Sequence, residues 1–244
     1  MRKLQLILQI LENLNYLSEF LPLLFCLLFF KKINSKEIKV FFVYKTFAVL
    51  LLIINLITRY KYTTIVVSIT VVLEFVLLSV MYRYIIKSLL VKKLIIFAIF
   101  LFVVYWTYNF SKISLHKFYF DFLTGAIESF FFIIVIIYYF YEIMRYNFTT
   151  PLFKLPSFWI SVAFLLFFAG VFFLLLSSIT IFNKPGFNVV QFVFITSIIT
   201  IIKNILLCIA LLANKNLVLN ADKNPIPSNL NLDAFQPINN QTNF

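Results

Sequence analysis

Charged residues are scarce in this chain of 244 residues, where they account for 12% of positions, against about 25% in an average soluble protein. Glycine occurs three times, cysteine twice and histidine once. Because so few polar side chains cannot coat a globular core in water, the composition excludes an ordinary soluble domain.

The scarcity of reactive residues restricts the chemistry of the chain as well. His116 is the one histidine, which removes the commonest general base, and no H-E-x-x-H, G-x-S-x-G or Walker A pattern is present. No second histidine or cysteine lies near His116 in the sequence to suggest a metal site. Cys26 and Cys208 lie in apolar runs without a C-x-x-C companion, so we expect them to act as small packing residues. We therefore expect no enzyme activity, no metal and no cofactor.

Apolar length is what the chain has in excess. Hydrophobic residues make up 63% of it, and its mean hydropathy is +1.00. Seven stretches are long enough to cross a bilayer: residues 15–31, 39–58, 63–86, 94–110, 119–143, 157–182 and 188–214. The connections between them are short, which makes consecutive helices antiparallel neighbours. The sequence predicts an all-α polytopic membrane protein, a single bundle of seven transmembrane helices.

The two ends of the chain differ from the seven-helix domain of residues 15–214. Residues 1–14 place Leu4, Ile7, Leu8 and Leu11 on one face, which is typical of an amphipathic helix. This segment either lies at the membrane interface or lengthens the first span. Residues 215–244 are rich in Asn and Pro and show no hydrophobic period, which predicts a disordered cytoplasmic tail.

The formal net charge of +12 is spread over the short gaps between spans. We therefore expect anionic lipid headgroups as its partners, and no nucleic acid. The first, third and fifth gaps and the tail contain 12 Lys and Arg, whereas the N-terminal segment and the other gaps contain 7. Because positive loops stay in the cytoplasm, we expect the N-terminus outside and the C-terminus inside.

A few ionisable residues lie in or at the ends of the spans, where inserting each costs about 2.5–3.5 kcal/mol unless it faces protein or water. They are Glu19, Lys45, Glu74, Asp121, Glu128 and Lys203. Helical spacing places them in five polar stripes. The stripes are Glu12, Asn15, Glu19, Pro22 and Cys26 in the first span, Lys45, Asn55 and Arg59 in the second, Thr63, Thr70 and Glu74 in the third, Asp121, Thr124, Gly125, Glu128 and Ser129 in the fifth, and Thr196, Thr200, Lys203 and Asn204 in the seventh. The simplest arrangement turns all five stripes toward one interior.

The depth of these residues predicts which of them meet. At 1.5 Å per residue, Glu74 and Glu128 lie roughly 16 and 13 Å below the outer boundary, and the two lysines near 20 Å. We therefore expect both acids to pair with Lys45 and Lys203 near the midplane. The residues above them would form the wall of a cleft that opens to the outside: Glu19, Asp121, Asn55 and Arg59.

Three interpretations of these charges are open. They could fix only the rotation and register of the helices, bind a polar ligand, or conduct an ion or proton. The hypothesis we favour is a sensor or binding module, with a ligand entering from outside and a cytoplasmic or membrane protein partner. The alternatives are a small-solute or ion transporter and a scaffold subunit of a membrane complex. Transporters often contain Gly or Pro within spans, and Pro22 is the only proline clearly within one here, which disfavours transport.

Two resemblances bear on the fold. Lys203 in the last of seven helices and Glu74 in the third resemble the lysine and counter-ion of retinal proteins, but the third and sixth spans lack the Asp/Trp-rich and Trp-x-x-Tyr-Pro patterns of microbial rhodopsins. The chain is more similar to uncharacterised seven-helix integral inner-membrane proteins of Bacteroidota-type bacteria. The segments that carry this likeness are Leu21-Pro22-Leu23-Leu24-Phe25, Leu73-Glu74-Phe75, Phe158-Trp159-Ile160-Ser161 through Ala169-Gly170, and Lys203-Asn204-Ile205-Leu206. The likeness implies a seven-helix fold in a bacterial inner membrane and no particular activity.

Overall fold

The computed structural model describes residues 2–29, 35–58, 61–111, 122–146, 152–181 and 189–223. Within these ranges the chain is helical and contains no β-strand. The helices are α1 (Arg2–Phe29), α2 (Lys36–Ile57), α3 (Thr63–Ile85), α4 (Leu89–Phe110), α5 (Phe122–Tyr146), α6 (Pro156–Ile181) and α7 (Val189–Lys223), with a short 3-10 helix at Leu152–Lys154. The prediction of an all-α chain is confirmed, because each predicted stretch coincides with one helix.

Six of these helices, α2 to α7, are long and apolar enough to cross a membrane. The exception, α1, has 28 residues, but its hydropathy is lowered by Glu12, Asn13, Asn15 and Glu19. The chain is therefore a multi-pass helical protein of the membrane type, with six helices that meet this criterion in the part that the structure describes. A seventh crossing by α1 stays a prediction.

The first and last helices extend beyond the predicted seven-helix domain of residues 15–214. α1 runs without a break through residue 14, so the amphipathic N-terminal segment lengthens the first helix. α7 continues to Lys223, which corrects the prediction that an irregular tail begins at residue 215. The helix continues because the residues before Asn224 include several good helix formers. Pro225 disfavours helical backbone at Asn224, the residue before it. Residues 224–244 of the predicted tail lie outside the described residues.

The helices form a closed ring in the order α1, α2, α3, α5, α6 and α7, because each packs against the next and α7 packs back against α1. α4 lies outside the ring, mainly against α3. This arrangement departs from a bundle in which all consecutive helices are equivalent neighbours. The physical reason lies in α4, which is apolar on every face from Leu94 to Val104 and buries only Ile95 and Phe102, one narrow stripe. No polar face therefore requires α4 to turn inward.

Specific contacts attach α4 to the ring. The Phe102 ring stacks on the buried Phe75 ring of α3 with 3.8 Å between centroids. The Trp106 indole N–H donates to the Ser68 carbonyl oxygen at 2.9 Å. At the other end of α4, the buried Glu142 carboxylate accepts the backbone N–H groups of Lys87 at 2.8 Å and Ser88 at 2.9 Å. Ser88 is the N-cap residue of α4, so a carboxylate from α5 caps that helix.

Small residues bring α6 and α7 together. Ala163, Gly170 and Ser177 recur every seven residues, which predicts a close packing seam. Ala163 is fully buried, and a Cβ atom at Gly170 would lie 2.7 Å from Ile199 Cδ1 of α7. The close approach of α6 to α7 is therefore present at Gly170, whereas Ser177 is exposed.

The carboxylate cap of α4 can be tested by Glu142→Gln. An amide retains one acceptor oxygen but turns an NH2 group toward the second backbone N–H, so one charge-assisted bond is lost outright. We expect the free energy of unfolding to fall by about 1.5–3 kcal/mol, measured by thermal unfolding of the detergent-purified protein. Glu37→Gln is the matched control, because Glu37 lines the same small cavity as Glu142 without accepting a hydrogen bond from the described residues. Equal losses in the two variants would contradict the capping role.

Candidate functional site

A cluster of charges joins α1, α2 and α7, in which both lysines are buried and the Glu19 side chain is 20% exposed. The Lys45 ammonium is 2.7 Å from Glu19 Oε2, and the Lys203 ammonium is 3.4 Å from Glu19 Oε1. Lys45 is fully buried and Lys203 is 4% exposed. One carboxylate therefore bridges two lysines from different helices, and we call these residues, with Asn204 and Ser18, the lysine–glutamate cluster.

Neutral polar groups add hydrogen bonds to the cluster. Lys45 also donates to Asn204 Oδ1 at 3.0 Å, and Asn204 Nδ2 donates to Ser18 Oγ at 3.0 Å. The Ser18 hydroxyl in turn donates to the Asn15 carbonyl oxygen at 2.7 Å, which closes the chain of bonds on α1. The Lys203 ammonium lies 4.1 Å from the centroid of the Phe167 ring, a cation–π contact. Because buried polar groups are stable only when paired, this network sets the rotation of three helices.

The partners of the two lysines differ from those expected. The predicted pairing with Glu74 and Glu128 is wrong for the described ion pairs, and Glu19, expected at the wall of a cleft, is the anion that both lysines share. The reason is the ring order, in which α1 lies between α2 and α7 and so places one carboxylate within reach of a lysine on each side. Sequence spacing assigns residues to faces, but it does not order the helices.

A cavity of about 280 Å³ forms a second polar feature, between α3, α5, α6 and α7. Its lining includes residues near the starts of α3, α5 and α7 and near the end of α6, so it lies toward one end of the ring. The polar part of the lining consists of two acids and seven hydroxyl side chains: Glu74, Glu128, Thr63, Thr64, Ser68, Thr124, Ser129, Thr196 and Thr200. Apolar side chains complete the wall, among them Phe167, Phe192 and Leu175.

The two acids of the cavity have different surroundings. Glu74 accepts a hydrogen bond from the Tyr44 hydroxyl at 2.8 Å. Glu128 is 4% exposed, and its Oε1 atom has no hydrogen-bond partner among the described residues. Burying such an atom without a partner costs about 1–3 kcal/mol, more when it is charged. Glu128 is therefore the group in this wall that most requires a further partner.

A cluster of packed aromatic rings lies beside the cavity. Phe168 lines it and stacks on Phe132 with 4.9 Å between centroids, and Phe75 lies 5.4 Å from Phe132. All three side chains are at most 1% exposed. Of the three, Phe168 lines the cavity, whereas Phe75 stacks on Phe102 of α4 and lines a separate apolar cavity beside that helix.

The cavity and the lysine–glutamate cluster are adjacent but separate. Tyr44, which holds Glu74, precedes Lys45 in α2, and Thr200 of the cavity wall lies one turn before Lys203 in α7. Phe167 has Lys203 over its ring and also lines the cavity. The five polar stripes therefore do not enclose one interior: those of α3, α5 and α7 line the cavity, and those of α1, α2 and α7 form the cluster.

Some predicted site residues fall elsewhere. Asn55 accepts a hydrogen bond from the Thr63 hydroxyl at 3.0 Å and ties the end of α2 to the start of α3. Asp121 and Arg59 lie outside the residues whose side chains the structure describes.

Three polar residues with clear roles were not predicted from the sequence: Tyr44, Ser18 and Glu142. A signal for Glu142 exists, since it follows Glu128 by two heptads and therefore shares its face of α5. Tyr44 and Ser18 give no such signal, because a single tyrosine among 13 and a serine beside a predicted acid do not stand out. Their roles come from the helices that they face.

A ring of apolar helices around a buried ion-pair cluster and a polar cavity defines a multi-pass helical membrane protein. No protein-family model matches the chain, and no curated protein or solved structure shows significant similarity to it. Within the described residues, no group of three or more His, Cys, Asp or Glu side chains is placed to hold a metal ion.

Glu19→Gln tests the lysine–glutamate cluster. Removing the shared anion leaves two buried lysines unpaired, so we expect a loss of about 3–5 kcal/mol in the free energy of unfolding. Lys203→Met should cost less, because the pair of Lys45 and Glu19 remains. Glu12→Gln, seven residues earlier on the same helix and outside the described ion pairs, is the matched control. Thermal unfolding in detergent would measure all three, and a Glu19→Gln loss no larger than that of Glu12→Gln would refute the role of the cluster.

Proposed function

We propose that the chain is a membrane-embedded sensor or binding module that takes a small polar ligand into the cavity between α3, α5, α6 and α7. The observation that carries the proposal is the lining of this cavity, with two carboxyl groups and seven hydroxyls inside a largely apolar bundle. Polar groups in a membrane bundle are costly and mark functional sites. A ligand pocket combines apolar walls with a few placed polar groups, and this wall has that composition.

The packing beside the cavity supports binding over conduction. The Phe168 ring of the cavity wall is buried and stacks on the buried Phe132 ring. Helices α2 to α7 also contain no proline within their interiors, and such breaks are common in alternating-access transporters.

The adjacency of the two polar features supports a sensing role. A ligand that contacts Glu74 acts on the Tyr44 hydroxyl, and the next residue of α2 belongs to the lysine–glutamate cluster. A ligand at Thr200 lies one turn from Lys203. A change in the cavity would therefore bias the packing of α1, α2 and α7. The C-terminal end of α7 would then transmit this change to a protein partner.

The proposal includes the arrangement in the membrane. α1 is the seventh span, the N-terminus lies outside, the C-terminus lies in the cytoplasm, and the membrane is a bacterial inner membrane. The Lys and Arg distribution supports this orientation, and the likeness to Bacteroidota-type inner-membrane proteins supports the location. The cavity then opens toward the outside.

Reporter fusions test the orientation. With a C-terminal fluorescent protein we expect fluorescence, because the reporter folds in the cytoplasm, and with alkaline phosphatase after Thr58 we expect activity, because the connection between α2 and α3 is external. An epitope at the N-terminus should be accessible in intact spheroplasts only if α1 crosses the membrane. An active C-terminal phosphatase would overturn the charge rule here, and a protected N-terminal epitope would limit the chain to six crossings.

The cavity itself is tested by Thr200→Phe, which fills it with a ring. A panel of small amines, carboxylates and neutral sugars is added to the protein in nanodiscs, and the unfolding temperature is measured. We expect at least one class to raise it for the wild type and for the control Ile202→Phe, whose side chain is exposed on the outside of α7, but not for Thr200→Phe. Equal responses of the two variants would exclude the cavity as the site.

Flux measurements separate a sensor from a transporter. The compound that stabilises the protein is tested for uptake into proteoliposomes. Uptake that Thr200→Phe abolishes would replace the sensor with a transporter, and an absence of uptake agrees with the proposal.

A further inference from the structure

We propose that the ligand of the cavity is a small organic ammonium ion, bound through the Glu128 carboxylate. This inference rests on the proposed function and names the chemical class of its ligand. Two observations carry it: the charge of the cavity wall, and the unpartnered Oε1 atom of the buried Glu128 side chain.

The charge of the wall is of one sign. Glu74 and Glu128 line the cavity, and no lysine, arginine or histidine does so within the described residues. The nearby lysines belong to the other network, where Glu19 pairs with both, and the Lys203 ammonium lies 4.1 Å from the centroid of the Phe167 ring. A cation is therefore the ligand that this wall attracts, and a carboxylate would meet two like charges.

Glu128 is the acid with free binding capacity. Glu74 already accepts a hydrogen bond from the Tyr44 hydroxyl, which holds the orientation of the Glu74 carboxylate. Glu128 is only 4% exposed, yet its Oε1 atom accepts no hydrogen bond from the described residues. An ammonium group carries several N–H donors and a positive charge, so it supplies both the missing hydrogen bond and the counter-charge. The surrounding hydroxyls of Ser129 and Thr200 can accept its further N–H groups.

The size and the apolar part of the wall indicate an organic ion. A cavity of about 280 Å³ is far larger than a single water molecule or a bare metal ion, and it is just smaller than the usual small-molecule sites of about 300–1,000 Å³. Apolar side chains form part of the wall: Phe168, Val171, Leu175 and Phe192. They cannot replace the hydration shell of a metal ion, but they can pack against a hydrocarbon group.

The test uses three probes of equal length: n-butylammonium, n-butanol and butyrate, with sodium chloride at the same concentration as the ionic-strength control. Binding to the protein in nanodiscs is followed by thermal stabilisation. We expect n-butylammonium to bind at least about tenfold more tightly than the other two, and Glu128→Gln to weaken its binding by about tenfold or more. Glu37→Gln, an acid at the opposite end of the bundle, should leave the affinity unchanged.

The outcomes separate the ligand class from the proposed function. If n-butanol or butyrate binds as tightly as the amine and Thr200→Phe abolishes that binding, the ammonium proposal is overturned while the binding module stands. An equal response to sodium chloride, or no response to any of the three probes, overturns the ammonium proposal as well. The comparison of the probes on the wild type needs no variant, so it decides the matter even if Glu128→Gln does not fold.

Discussion

The bridging of two lysines by Glu19 is the interaction on which the rest of the bundle depends. An unpaired ammonium inside a membrane bundle is so unfavourable that α1, α2 and α7 must be placed to satisfy both lysines at once. Apolar helices in lipid have little preference for one rotation over another, because lipid tails are as apolar as leucine. The cluster supplies the preference that apolar packing lacks, and the close approach at Gly170 then joins α6 to α7.

Because both lysines form ion pairs with the one carboxylate of Glu19, the acids of α3 and α5 have no lysine as an ion-pair partner among the described residues. Glu74 is held by a tyrosine, and Glu128 retains an oxygen that no described residue pairs. The same ring thus contains a network whose polar groups are paired and a cavity in which one is not. This difference is the reason to assign structure to the first and binding to the second, since the carboxylate and the amide of the network already have partners within it.

The ring order also explains the position of α4. Its neighbours in sequence, α3 and α5, pack against each other, so α4 remains on the outside, attached by the Phe75–Phe102 stack and by the carboxylate cap from Glu142. A helix that is apolar all round can face lipid over most of its surface without cost. Its cap cannot be supplied by lipid, which accounts for the buried acid at its N-terminus.

The sequence by itself determined the helices and the faces that turn inward. Apolar length specified the spans because a helix must satisfy its own backbone in lipid, and helical spacing placed Lys45, Glu128 and Lys203 on buried faces because their charge excludes them from lipid. Only the tertiary structure decided which charges pair. A period of 3.6 residues fixes the face of one helix on which a residue lies, but it does not fix the order of helices in the ring. That order places Glu19 between both lysines and places Glu128 in the cavity wall.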